Sequence, residues 1–77
     1  MSHKDIGSEI RKRRRLLGLT QVTTAELAGV GRRTLVDLES GRGSRGATLE
    51  KVRAICSVLG LELIVIDAQT LAEYDQP

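Results

Sequence analysis

There is no phenylalanine and no tryptophan in this 77-residue sequence, and Tyr74 is its single aromatic side chain. The core is therefore expected to be aliphatic, drawn from eleven Leu, five Ile and six Val. A core of that kind in so short a chain supplies about 3–5 kcal/mol, which points to a second copy as a stabilising partner. One cysteine, Cys56, excludes an internal disulfide and any Cys-x-x-Cys zinc cluster. One histidine, His3, removes His-based catalysis and most metal sites. Pro77 is the one proline, so no helix is broken by that route. No apolar run reaches the roughly 18–20 residues of a membrane span, and no signal-like apolar stretch follows the start. These absences leave a single-domain, cytoplasmic binder or regulator, without membrane association, cofactor or enzymatic chemistry.

Charge is present but unevenly placed. Residues 1–48 carry ten basic and five acidic side chains, whereas residues 49–77 carry two basic and five acidic ones. The small net charge of +2 thus hides a basic N-terminal part and an acidic C-terminal part. Such a basic part suits a polyanion partner, although a charge run alone is more often the mark of a solvated helix face.

Periodicity divides the chain into short helices. Ile6, Ile10, Arg14 and Leu17 recur on one face of a first helix ended by Gly18, with Asp5 or Ser8 as its cap. Arg11, Lys12, Arg13 and Arg15 point away from that face, mostly to solvent. Arg14 falls on the apolar face, where a charge requires a partner. Thr20 is an N-cap for a second helix over 21–28, with Val22, Ala25 and Ala28 inward and Leu27 at the margin. The turn Gly29-Val30-Gly31 precedes a third helix over 32–39, anchored by Leu35 and Leu38, with Arg32, Arg33, Val36 and Asp37 outward. A glycine- and arginine-rich loop, 41–47, leads to Thr48, the cap of a fourth helix whose stripe is Leu49, Val52, Ile55, Cys56 and Leu59. Cys56 on that stripe reads as an inert core thiol, with a redox switch as the alternative. His3 is given no role.

After Gly60 the pattern changes. Residues 61–67 are β-branched and nearly continuous, with Leu61, Leu63 and Val65 on one face and Glu62, Ile64 and Ile66 on the other. No second strand is available in the chain, and a lone strand leaves its backbone groups unpaired. The same segment of a second copy is the simplest partner, giving a dimerisation surface of Leu61, Leu63, Ile64, Val65 and Ile66. The alternative is an extended apolar strap over the helices. Residues 68–77 form a flexible acidic tail.

A short helix opening at Thr20-Gln21, a tight Gly-Val turn and a second helix with a polar outer face make a helix-turn-helix layout, whose second helix can enter a DNA major groove. The segment LTQVTTAELAGVGRRTLVDLESG resembles the Xre/Cro-repressor class of helix-turn-helix. Leu19, Thr20, Gln21, Ala25, Ala28, Gly29, Val30, Leu35, Leu38, Glu39 and Gly41 match that pattern in register, and the likeness covers roughly residues 6–60. The resemblance implies a mainly α, lambda-repressor-like bundle of four to five short helices. The sequence departs from the pattern at Thr24, where a core Leu is usual and Leu27 is expected to roll inward instead. It departs again at Gly31, where Ser or Thr usually caps.

The resemblance also implies roles. Gln21 contacts a phosphate or an adjacent base, and Arg32 and Arg33 reach base edges, where arginine suits guanine O6/N7. Thr34 bonds a phosphate or a thymine region. Asp37 either accepts from cytosine N4 or orients Arg33 by an i, i+4 pair. Arg42 and Arg45 suit phosphate or minor-groove contacts, or are ordinary exposed loop arginines. Arg14 and Glu39 fit the family's internal ion pair, a structural role.

The strand following the Leu-Gly at 59–60 makes the chain similar to the HipB-like antitoxins. That likeness implies a C-terminal strand pairing across a homodimer, autorepression at a double-stranded DNA operator, and a HipA-like kinase toxin as partner. The competing readings are a free-standing phage-like or restriction-control repressor, and a protein-binding module. The expected organisation is a DNA-binding domain over 1–60, a dimerisation strand over 61–67 and a tail over 68–77, in a cytoplasmic, nucleoid-associated protein.

Overall fold

The computed structural model describes residues 6–42 and 47–64. Four helices follow in order: α1 (Ile6–Leu16), α2 (Gln21–Ala28), α3 (Arg32–Ser40) and α4 (Leu49–Val58). α1 packs on α3, while α2 packs on both α3 and α4. The enclosed core is aliphatic, as composition requires. Ile10, Leu35, Ile55 and Leu59 are fully buried, with Ala25, Val52 and Cys56 beside them. Leu19, Ala28, Val30, Leu38, Ala47 and Val58 close its margins.

The two threonine caps form as the sequence predicts. Thr20 Oγ1 accepts from the Thr23 N–H at 3.0 Å, and Thr48 Oγ1 accepts from the Lys51 N–H at 3.2 Å. Each such cap contributes about 1 kcal/mol. α2 ends at Gly29, whose φ of 69° is open to glycine at little cost, and the Val30 N–H then returns to the Ala25 carbonyl at 3.0 Å. That closure places Val30 against the core. Gly31 precedes α3 without any side-chain cap. Gly7 permits a close approach of α1 to α3, because a Cβ there would collide with the Leu38 carbonyl. Its buried position was not read from the sequence.

α2 corrects the sequence reading most. Val22 is 45% exposed and Leu27 is 63% exposed, while Thr24 is fully buried. At about 100° per residue, Gln21, Thr24, Ala25 and Ala28 share one arc, and Val22 and Leu27 flank it on either side. Leu27 does not roll inward. Thr24 itself fills the core position, and its Oγ1 has no hydrogen-bond partner among the described residues. Ile6, Leu17 and Leu49, at helix ends, are likewise more exposed than their stripes suggest.

Arg13 also departs from its solvent-directed assignment. Its Nε donates to the Leu59 carbonyl at 3.0 Å, so α1 caps the C-terminal end of α4. Residues 61–64 leave that end as irregular backbone, since a ladder would need a second strand. Leu61 and Leu63 are half-buried against the core while Glu62 and Ile64 are exposed, the two-faced alternation read from the sequence. Val65, Ile66, the loop residues 43–46 and the tail lie outside the described residues, as do the Asp5 cap and His3. No strand occurs among the described residues, so strand pairing across a dimer is not part of the fold described here.

Candidate nucleic-acid interface

The unit made by α2, the turn at 29–31 and α3 is held from behind by one ion pair. Arg14 of α1 donates Nε to Glu39 Oε2 at 2.7 Å and Nη2 to Glu39 Oε1 at 2.9 Å. Its third nitrogen, Nη1, donates to the Leu19 carbonyl at 2.8 Å, just before α2. Both side chains are buried. This satisfies the condition that a buried charge be paired and hydrogen-bonded. The bond to Glu39 pushes the Arg14 pKa up from its already high ordinary value, against a smaller opposing effect of burial. The guanidinium is therefore a permanent tie between α1, the chain entering α2, and α3.

Gln21 joins the same group. Its Nε2 donates to Glu39 Oε1 at 3.3 Å, because position 21 lies on the inward arc of α2. The sequence reading placed Gln21 only toward DNA. In the fold one of its amide hydrogens is held by Glu39, which fixes the side chain at the rim of the unit. The second amide hydrogen and the carbonyl remain for an external group.

α3 is amphipathic about two leucines. Leu35 is fully buried and Leu38 is half-buried, so the opposite face of α3 is left to solvent. Arg32 and Arg33, its first two residues, are exposed. The Arg33 side chain is 88% exposed, and its Nε lies 3.4 Å from Asp37 Oδ2 in an i, i+4 pair. Of the two roles open to Asp37, this geometry supplies the orienting one. An exposed pair of this type is worth a few tenths of a kcal/mol, too little for a stability role and enough to bias where the guanidinium points. Thr34 and Val36 are half-buried on the flanks of α3, so Thr34 is less open than Arg32 and Arg33. Arg42 is exposed just after α3. Arg45 lies outside the described residues.

Other chemistry finds little footing among the described residues. They hold no group of three or more His, Cys, Asp or Glu that could bind a metal ion. Cys56 is buried, and its burial pushes the thiol pKa up, so the thiolate needed for redox or nucleophilic chemistry is disfavoured. No described helix is long and apolar enough to cross a membrane.

What the geometry brings together is a pair of exposed arginines at the start of a rigidly backed helix, with Gln21 at the edge of the same unit. Sequence reasoning missed the Gln21–Glu39 bond and the Arg13–Leu59 bond. The inward arc of α2 was a signal for the first. The second joins positions 46 apart, and no local pattern announces it. Comparison with known families agrees with the layout. A helix-turn-helix family model (HTH_3) matches residues 10–66, which spans all four helices apart from the first turn of α1. No curated protein and no solved structure gives a significant match. The chain belongs to the helix-turn-helix family, of the Xre/Cro type.

Proposed function

We propose that this protein is a sequence-specific transcriptional repressor, non-enzymatic and cytoplasmic, that binds a palindromic operator as a homodimer. The observation that carries the reading is the exposed Arg32–Arg33 pair at the start of α3, on a helix backed by the buried Arg14–Glu39 pair. A helix so presented places its first side chains at base edges in a major groove. Arginine there donates two parallel hydrogen bonds to guanine O6 and N7, and Asp37 holds Arg33 near that pose. Gln21, Thr34, Arg42 and Arg45 set register through the phosphate backbone.

The homodimer is supported by the surface beside the N-terminal half of α4. Exposed Leu49 and Ile64 and half-buried Leu63, with Arg53, line an open cleft of about 290 Å³. In the proposed dimer residues 61–66 of each protomer pair as antiparallel strands, giving Leu61, Leu63, Ile64, Val65 and Ile66 a common interface. The two α3 helices then read half-sites about one helical turn apart. The finer reading, that the protein is the antitoxin and autoregulator of a HipBA-like system with a HipA-like kinase toxin as partner, rests on the resemblance of the 59–66 segment alone.

The test is selection from a random duplex library followed by footprinting. A two-fold symmetric site with guanine-containing half-sites is the expected product. Retention of duplexes without any sequence enrichment would overturn the reading.

A further inference from the structure

Five consecutive basic residues, Arg11 to Arg15, occupy the C-terminal half of α1, and the fold sorts them into three groups. Arg14 turns inward to Glu39 and Arg13 turns to the Leu59 carbonyl. Lys12 is exposed and lies outside the cleft that Arg11 and Arg15 line. Arg11 and Arg15, one helical turn apart, share a wall of an open cleft of about 370 Å³. The opposite wall is Val36 and Ser40 of α3, and Gln21 of α2 stands between them.

Three properties of this cleft point the same way. It opens on the stripe of α3 that begins at Arg32, since residues 32, 36 and 40 follow one another at i, i+4 and i+8. It is electropositive: Arg14 offsets Glu39, and Arg11 and Arg15 form no ion pair among the described residues. The Glu39 carboxylate is covered by three donors, two from Arg14 and one from Gln21, so its charge is turned away from an incoming anion. Gln21 keeps one amide hydrogen free to donate into the cleft.

We infer that this cleft seats the sugar–phosphate backbone bordering the major groove that α3 enters, with Arg11 and Arg15 as its phosphate-binding side chains. The inference rests on the DNA-binding reading above and extends it to Arg11 and Arg15 of α1, which the sequence directed to solvent. A strand of duplex DNA presents a dense row of phosphates beside the reading helix, and two guanidinium groups on one wall can neutralise two of them. Such contacts position the protein without reading sequence.

The test uses the full chain and a fluorescent mixed-sequence duplex, with affinity measured across a salt series. The wild type gives a straight line of log K against log salt. Arg11→Gln/Arg15→Gln is expected to flatten its slope by about two, and each single variant by about one. Lys12→Gln, outside the cleft, is expected to keep the wild-type slope. Because Arg11 and Arg15 are exposed, thermal melts of all four variants should match the wild type. A wild-type slope in the double variant, or an equal loss in Lys12→Gln, overturns the cleft while leaving DNA binding by α3 intact. Failure of the wild type to bind the duplex at low salt overturns both.

Discussion

Glu39 Oε1 accepts from Arg14 Nη2 at 2.9 Å and from Gln21 Nε2 at 3.3 Å, so one carboxylate oxygen ties α1 and α2 to α3. Removing that carboxylate leaves the Arg14 guanidinium buried and unpaired. Breaking a buried ion pair in this way costs about 3–5 kcal/mol, comparable with the whole stability expected of a chain this small. Glu39→Ala is therefore expected to be largely unfolded at 37 °C, with DNA binding lost as a consequence. Urea and thermal melts followed by circular dichroism check this, and a wild-type melting curve would contradict the role given to the pair.

Thr24 offers the opposite case. Its hydroxyl is fully buried and unpartnered among the described residues, and an unsatisfied buried polar group costs about 1–3 kcal/mol. Valine keeps the shape and removes the group. Thr24→Val is expected to raise the free energy of unfolding by about 1 kcal/mol without altering DNA affinity. Denaturant titration measures the first and duplex titration the second.

At Gly7 two effects oppose one another. Alanine in a helix gains about 0.5–1 kcal/mol over glycine. The added methyl, however, would run into the Leu38 carbonyl, which is backbone and cannot swing aside. Separating α1 from α3 to make room costs about 1–3 kcal/mol, and it also strains the Arg14–Glu39 tie. The steric effect wins, so Gly7→Ala is expected to lower the melting temperature. A rise in melting temperature would show that α1 can shift freely.

Much of this arrangement is legible in the sequence where the signal is local. Thr20 and Thr48 announce helix starts by type and position. Ile10, Leu35, Val52, Ile55 and Cys56 announce the core by spacing. The i, i+4 separation of Arg33 and Asp37 announces their pair. α2 misleads because its inward arc is made of Thr24, Ala25 and Ala28, so its larger side chains, Val22 and Leu27, draw the apolar face to the wrong side. Small residues are there because α2 lies between α3 and α4. Ala25 and Ala28 are legible as the packed side, but the burial of Thr24 is a tertiary demand with no trace in two helical turns. Arg14 is set apart in the basic run by its place on the apolar face, whereas Arg11, Lys12, Arg13 and Arg15 read alike, and their separate fates depend on what α3 and α4 place beside each one.

In the proposed function, Arg33 reads a base pair from the exposed start of α3. The most direct measurement of that role is the ratio of affinities for the selected operator duplex and a scrambled duplex of equal length and salt, in wild type and Arg33→Ala. The predicted result is a fall in that ratio corresponding to about 1–3 kcal/mol, confined to one position per half-site, with the melting curve unchanged. An unchanged ratio in a folded Arg33→Ala protein would contradict it.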